Sequence, residues 1–465
     1  MPKPNVLFIM ADQQRFDTIG LHRHPCADYP NMEALRQESV CFDRFYASAT
    51  PCVPSRANFL TGKNAWNYEC CGNARFYTNN ESLSPQNRTW MQTLRDNGYA
   101  CVSVGKTHMV HAGSYHVQVP LRRSFGDEDG WNHFYPKATP ERDEDFFDVQ
   151  VATRACEIIE RMPEEPFALF VGFHAPHEPY VMPEKYLSFC KPEDVPLPAD
   201  WNAQDGHCQE YYNRLAHFRR MFGNCIDDEE IVRRAIAAYF CALKMVDDGL
   251  GRIITKLKEQ NLWDNTLVIY TSDHGEMLGN HHLFNKNATC YEQEAHIPFM
   301  MKLPRNVQAG TIVPHLAAGL DWYPTVMDIL GIKEDVPLPG HSLLPCIVEG
   351  KPVRDYVLTW YCDSSMAIRT DEYMLMYDPH NCDGELYDLK NDAAECKNLY
   401  NNPEYAPIRS KMIEKMLTQR MIEDGRASKL TEREYLLHRE IYASGESEVC
   451  LLPPRCRSSH YRRGD

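Results

Sequence analysis

The chain has 465 residues, of which 43% are hydrophobic and 25% charged, and its formal net charge is −16. These proportions are ordinary for a folded globular chain, while the length exceeds a single ordinary core, so one large domain and one smaller one are expected. The acidic balance argues against nucleic acid or an anionic membrane surface as a partner, though a local basic pocket stays compatible with it, and no apolar run reaches the roughly 18 residues of a membrane span.

In chain order, Val6-Leu7-Phe8-Ile9-Met10 is too short for a signal-peptide core and reads as a first buried strand, Val6 to Ala11. Together with 18 cysteines in no regular disulfide spacing, it favours a reducing, cytoplasmic setting. A second strand is expected at Ala100 to Val104. A helix over 149–162 follows, with Val151, Ala155, Ile158 and Ile159 on one face. Phe167 to Phe173 is a third strand. The stretch from about 182 to 230, rich in Pro, Asp, Asn and aromatics, is expected to form long loops or an insertion near a site mouth. A long helical pattern runs from Ile236 to Leu257, and Leu267 to Thr271 is a fourth strand. Alternation of this kind predicts an α/β fold, a large and mostly parallel sheet sandwiched by helices. From about residue 350 the pattern changes to short strands at Tyr356 to Trp360, Ser365 to Arg369 and Tyr373 to Tyr377, then a helix from Glu404 to Asp424. The expected division is a catalytic domain over 1–350, a smaller C-terminal α+β domain of antiparallel sheet plus helix over 351–440, and a tail or arm over 441–465.

Each of the four buried strands is followed at once by polar residues suited to chemistry. They are Asp12-Gln13, Lys106-Thr107-His108, His174 with His177, and Asp273-His274. Ligands of open α/β sheets bind beyond the carboxyl ends of the strands, so four strand ends point at one site. A further motif, Cys52-Val53-Pro54-Ser55-Arg56, places a thiol at a proline-stiffened helix start. Helix N-termini favour anions and activate thiols, and Arg56 one turn later stays cationic. Spacing alone does not separate this from a buried structural thiol.

Extended through Leu60-Thr61-Gly62, the motif reads Cys-x-Pro-Ser-Arg-x-x-x-Leu-Thr-Gly and resembles the signature of the type I sulfatases at every defined position. The resemblance implies an alkaline-phosphatase-like fold and oxidation of Cys52 to formylglycine by a maturation enzyme. One hydroxyl of the hydrated aldehyde attacks sulfur, and the other later expels sulfate. Asp12-Gln13 and Asp273-His274 resemble the family's two metal pairs, with Cys52 contributing to the same divalent site. Gly105-Lys106-Thr107-His108 is similar to Gly-Lys-x-His. There Lys106 holds the formylglycine hydroxyl, and His108 takes a proton as sulfate leaves. In the His-x-Pro-His-like segment His177 contacts sulfate and protonates the leaving oxygen, with His174 behind it. Lys286 matches the sulfate-binding lysine, and Gly384-Glu385-Leu386-Tyr387-Asp388-Leu389 resembles the small-domain ending. The resemblance runs from about residue 4 to residue 400.

The chemistry agrees with these roles. Oxygen ligands favour calcium, whereas the neutral Gln13 and the nitrogen of His274 leave magnesium, manganese or zinc as alternatives. Arg56, Lys106, Lys286 and a charged His177 would stabilise an anionic transition state. A small sulfated substrate is therefore expected. The nearest rival is a phosphonate or phosphate ester hydrolase of the same superfamily. Asn73 fits either reading, while Lys106-x-His108 is the sulfatase form. A non-catalytic sulfate- or glycan-binding protein would need a broken constellation, and no expected position is lost. The aromatic-rich Trp201 to Phe222, with Trp66, Tyr68, Arg75 and Tyr77, is expected to line a pocket for a carbohydrate sulfate in preference to aryl or choline sulfate.

Overall fold

The computed structural model describes residues 2–68, 88–107, 115–117, 137–138, 142–162, 166–203, 206–286, 289–334, 337–361 and 365–427. Its main sheet has eight strands: β1 (Asn5–Asp12), β2 (Val40–Tyr46), β3 (Ala100–Gly105), β4 (Tyr115–Val117), β5 (Phe167–Pro176), β6 (Thr266–Ser272), β7 (Phe299–Lys302) and β8 (Ile312–Ala318). Their spatial order is β8-β2-β7-β6-β1-β5-β3-β4. All pairings are parallel except those of β7, which runs against β2 and β6. The four strands expected from their apolar runs are the contiguous centre, β6-β1-β5-β3. The strands that the sequence did not suggest lie outside them. β2 is interrupted by Asp43 and Arg44, and the edge strand β8 begins on exposed Ile312, so neither reads as a continuous apolar run.

Among the described residues the helices of seven residues or more are α1 (Pro30–Gln37), α2 (Cys52–Thr61), α3 (Trp90–Asp96), α4 (Phe147–Arg161), α5 (Gln209–Phe222), α6 (Glu229–Glu259), α7 (Trp322–Leu330) and α8 (Ala406–Ala427). Side chains alternate across a strand, and β1 divides the core accordingly. Leu7, Ile9 and Ala11 pack with α1, α4 and α6, while Val6, Phe8 and Met10 pack with α2, α3 and α7. Both faces are therefore covered, which is why the central strands are apolar throughout. Each fully buried large side chain contributes about 1.5–3 kcal/mol of transfer free energy. Phe8 alone meets the rings of Trp322 at 4.5 Å and Phe170 at 5.7 Å.

A second, antiparallel sheet of four strands follows: β9 (Val357–Tyr361), β10 (Ser365–Arg369), β11 (Tyr373–Asp378) and β12 (Asp383–Asp388). One face, with Leu358, Ile368, Leu375 and Leu386, receives Met412 and Met416 of α8. The other, with Ala367, Met374, Met376 and Tyr387, packs on Tyr211 of α5 and on Met277 and Tyr291, which flank Lys286. The small sheet thus braces a strand-end loop of the large one. The expected tail over 441–465 lies outside the described residues.

Two glycines bring β3 against β5 just before Lys106. Gly105 has φ +86° and its absent Cβ would stand 2.1 Å from the Gly172 carbonyl oxygen, which accepts the Lys106 N–H at 2.8 Å. Gly105→Ala is expected to cost on the order of 3 kcal/mol, from left-handed backbone plus a displaced carbonyl. A denaturant midpoint equal to wild type would contradict this account.

Candidate active site

Strand register places the first acids. Ala11 of β1 pairs with Ser272 of β6, so Asp12 and Asp273 leave neighbouring strand ends side by side. Both are fully buried. Cys52 opens α2, a helix buried on every side, and Ser55 Oγ donates to the Asp273 carbonyl at 2.5 Å. The Cys52 Sγ lies 3.1 Å from His274 Nε2 and 3.8 Å from Asp12 Oδ1. One ligand atom from each of Asp12, Cys52, Asp273 and His274 falls within 4.8 Å of the others.

Arg56 bridges the two acids. Its Nη2 donates to Asp12 Oδ2 and its Nε to Asp273 Oδ2, each at 2.8 Å, and its Nη1 donates to the Lys106 carbonyl at 2.7 Å. The Lys106 ammonium adds a 2.7 Å contact to Asp12 Oδ2. Burial alone would raise the Asp12 carboxyl, but Lys106 and Arg56 outweigh it and hold it well below the usual range. In each acid the Oδ2 is thus occupied, and the Oδ1 faces His274 Nε2 at 3.8 Å. Burial likewise works to lower His274, yet Asp273 and Cys52 push it up to about 9. His274 Nδ1 points its proton at the Gly275 carbonyl, 2.8 Å away, leaving Nε2 turned to the cluster. Inward-facing oxygens, a sulfur and an imidazole nitrogen whose proton a metal would displace fit one divalent cation.

Gln13 continues from Asp12 at φ +68°. Its N–H donates to Asp273 Oδ1 at 3.0 Å and its carbonyl accepts from the buried Tyr239 hydroxyl at 2.9 Å. The Gln13 side-chain oxygen accepts from Lys286 Nζ at 2.7 Å, and the same ammonium reaches His177 Nε2 at 2.8 Å. Burial works to lower Lys286, but Cys52, Glu178 and Asp12 hold it above its ordinary range. His177 is the difference from expectation. Its Nδ1 lies 2.5 Å from the Glu178 carbonyl, so that nitrogen carries the proton. An ammonium only donates, so Nε2 accepts from Lys286 and the ring is neutral rather than charged. Burial and then Lys286 hold His177 well below its usual range. Protonation of a leaving oxygen by His177 would require Lys286 to turn away first.

The structure therefore gathers Asp12, Gln13, Cys52, Arg56, Lys106, His177, Asp273, His274 and Lys286 in one connected network. His108 and Asn73 lie outside the described residues, as do Arg75, Tyr77 and the side chain of Tyr68. The expected pocket over Trp201 to Phe222 is corrected: Trp201, Tyr211, Leu215 and Phe218 are buried as packing. The stretch expected as loops contains α5, whose Tyr211, Leu215 and Phe218 recur at helical spacing and pack inward. Trp66 packs against Trp360 and under the Arg420 guanidinium, 3.7 Å from its ring centre.

Sequence reasoning gave no role to three acids that hold the site. Glu178 and Glu276 stand inside motifs quoted for their neighbours. Asp148 accepts the N–H groups of His174 at 2.6 Å and Ala175 at 3.2 Å, which fixes the turn into His177. Its partners lie 26 and 27 residues away, so no local pattern announces it.

Comparison with known proteins agrees with this geometry. A family model described as Sulfatase matches residues 4–332, and one described as N-sulphoglucosamine sulphohydrolase, C-terminal, matches residues 279–422. The multifunctional alkaline phosphatase superfamily protein PehA of Trinickia caryophylli is 29% identical over 90% of this chain and 96% of its own. The choline-sulfatase of Rhizobium meliloti (strain 1021) is 29% identical over 86% of this chain and 83% of its own. The solved phosphonate monoester hydrolase of Agrobacterium radiobacter aligns with a TM-score of 0.80 at 25% identity, covering 90% of this chain and 96% of that one. No described helix is long and apolar enough to cross a membrane. With the sulfatase model spanning well over half its length, the chain belongs to the type I sulfatase family of the alkaline phosphatase superfamily and is a sulfuric ester hydrolase.

Proposed function

We propose that this sulfatase cleaves a carbohydrate sulfate ester, using a formylglycine made from Cys52 and one divalent cation, calcium before magnesium, manganese or zinc. The observation that carries the reading is the Cys52 Sγ inside the Asp12–Asp273–His274 cluster, at the start of α2 and beside Arg56. A maturation enzyme is needed as a partner, because the thiol itself is the precursor. When bound, the cation polarises the sulfate oxygens and orients the nucleophile. Arg56 holds the Oδ2 atoms of Asp12 and Asp273, which leaves each Oδ1 turned to the cluster. Lys106, already against Asp12, holds the formylglycine hydroxyl, and His108 accepts its proton as sulfate is expelled. Lys286 and His177, hydrogen-bonded to each other, bind the sulfate. Removal of one such contact costs about a hundredfold in rate.

The match to the N-sulphoglucosamine sulphohydrolase C-terminal family supports a sugar substrate. A second reading, phosphonate monoester hydrolysis, is favoured by the likeness to the Agrobacterium enzyme over 96% of its chain. Matured protein given nitrophenyl sulfate and a phenyl phosphonate monoester separates the two. Sulfate is expected to react with the larger kcat/KM, by at least about tenfold, or ~1.4 kcal/mol in barrier. Faster phosphonate turnover would overturn the choice. A panel of sulfated mono- and disaccharides beside aryl and choline sulfate then tests the sugar.

A further inference from the structure

We propose that Glu276 and Glu178 are positioning residues that fix the side-chain amide of Gln13, so that its oxygen rather than its nitrogen is offered to the cation site. The Gln13 Nε2 donates to Glu178 Oε2 at 2.8 Å and also to Glu276 Oε2. Both carboxylate oxygens stand here as acceptors, so the NH2 end of the amide faces this pair. The oxygen is thereby turned to the other side, where Lys286 Nζ meets it at 2.7 Å. Gln13 follows Asp12 directly and its own N–H donates to Asp273 Oδ1 at 3.0 Å, so the residue borders the cluster with its amide oxygen turned away from the two acids.

Neither acid is itself loose. Glu276 is completely buried. Its second oxygen accepts the N–H of Leu278 at 3.0 Å and that of Asn285. These two residues begin and end the loop before Lys286, and both adopt left-handed backbone, at φ +48° and +70°. The second oxygen of Glu178 accepts from Asn285 Nδ2 at 2.5 Å. Three elements thus converge on one amide: the end of β1, the turn after β5 and the loop after β6. A glutamine here would otherwise be free to flip, since its two ends are nearly isosteric. A carboxylate at position 13 would have no such need and would repel the pair. The presence of two acids behind a neutral ligand has a physical reason in the choice of Gln13.

The inference rests on the cation reading above, and its test reads binding rather than turnover. Calcium is titrated calorimetrically into the full-length protein, its Glu276→Gln and Gln13→Ala variants, and the double variant. Glu276→Gln keeps the shape but offers an NH2 group toward donors, so affinity is expected to fall by about 10- to 100-fold. Gln13→Ala should lose a similar factor, and the double variant should lose no more than Gln13→Ala alone, because Glu276 acts through that amide. Losses that multiply, or a Glu276→Gln protein that binds as wild type does, would overturn the inference while leaving the cation reading intact. Wild type that binds none of calcium, magnesium, manganese and zinc would instead sink the cation reading and this inference with it. Should Glu276→Gln fail to fold, Glu178→Gln is measured in the same cycle. It is expected to lower affinity only while Gln13 is present, and equal affinity would count against the pair.

Discussion

Cys52→Ala, expressed with a maturation enzyme, is expected to fold as wild type does and to lose sulfate ester hydrolysis by on the order of a millionfold, the size of loss when a hydrolase is deprived of its nucleophile. The thiol is 1% exposed, with His274 and Asp12 among its polar contacts, and its removal leaves a small cavity while the Arg56 bridge between the two acids stays in place. Stability should therefore change far less than activity. Initial rates on a sulfate ester, set beside a denaturant unfolding curve, check both halves. Mass spectrometry of the wild-type Cys52 peptide should find the aldehyde in place of the thiol. Activity of the alanine variant within tenfold of wild type would end the nucleophile assignment. Absence of the aldehyde after expression with the maturation enzyme would favour a binding protein.

Arg56→Ala has the opposite signature, a large loss of stability. Its guanidinium is 1% exposed and is the bridge between two fully buried carboxylates. Such a pair adds little net stability relative to apolar packing, because desolvation of the ions offsets their attraction. Breaking it is another matter, since the partners stay buried without compensation. Here the expected cost is about 3–5 kcal/mol, read from chemical denaturation. Lys106 still reaches Asp12 at 2.7 Å and moderates the loss there, but Asp273 Oδ2 loses the Arg56 Nε contact. Added divalent cation should restore part of the stability, because a bound ion supplies the missing positive charge to both acids. Arg56→Lys should recover little, as one ammonium cannot reproduce the three directed donations to Asp12, Asp273 and the Lys106 carbonyl. A destabilisation under about 1 kcal/mol would mean that the acids are protonated or hydrated in the folded protein, contrary to the geometry.

The small sheet bears on the same site from a distance. Glu385 of β12 accepts from the Cys208 N–H at 2.8 Å and the Tyr291 hydroxyl at 2.7 Å. Burial would raise this carboxyl, yet His207 and these donors hold it down at about 2. Tyr291 and Met277 flank the loop that presents Lys286, so the C-terminal segment is part of the structure that aims a site cation rather than a separate appendage.

Local chemistry made the central fold and much of the candidate site readable. The runs behind β1, β3, β5 and β6 are apolar on both faces because helices cover both, and such runs announce themselves without an alignment. Polar residues directly after those runs had to emerge at one edge of the sheet, and the Cys52 signature named the chemistry. Other features depended on partners far away in sequence. The helix α5 and its aromatics read as a pocket because their composition is polar and aromatic; only the packing of Tyr211 against the small sheet and Met277 turned them into core. The charge on His177 hinged on an ammonium 109 residues away, and the orientation of the Gln13 amide on two acids 165 and 263 residues away. The positions of the central strands follow from short-range pattern, whereas strand order, protonation states, amide orientation and burial are properties of neighbours that only chain folding brings together.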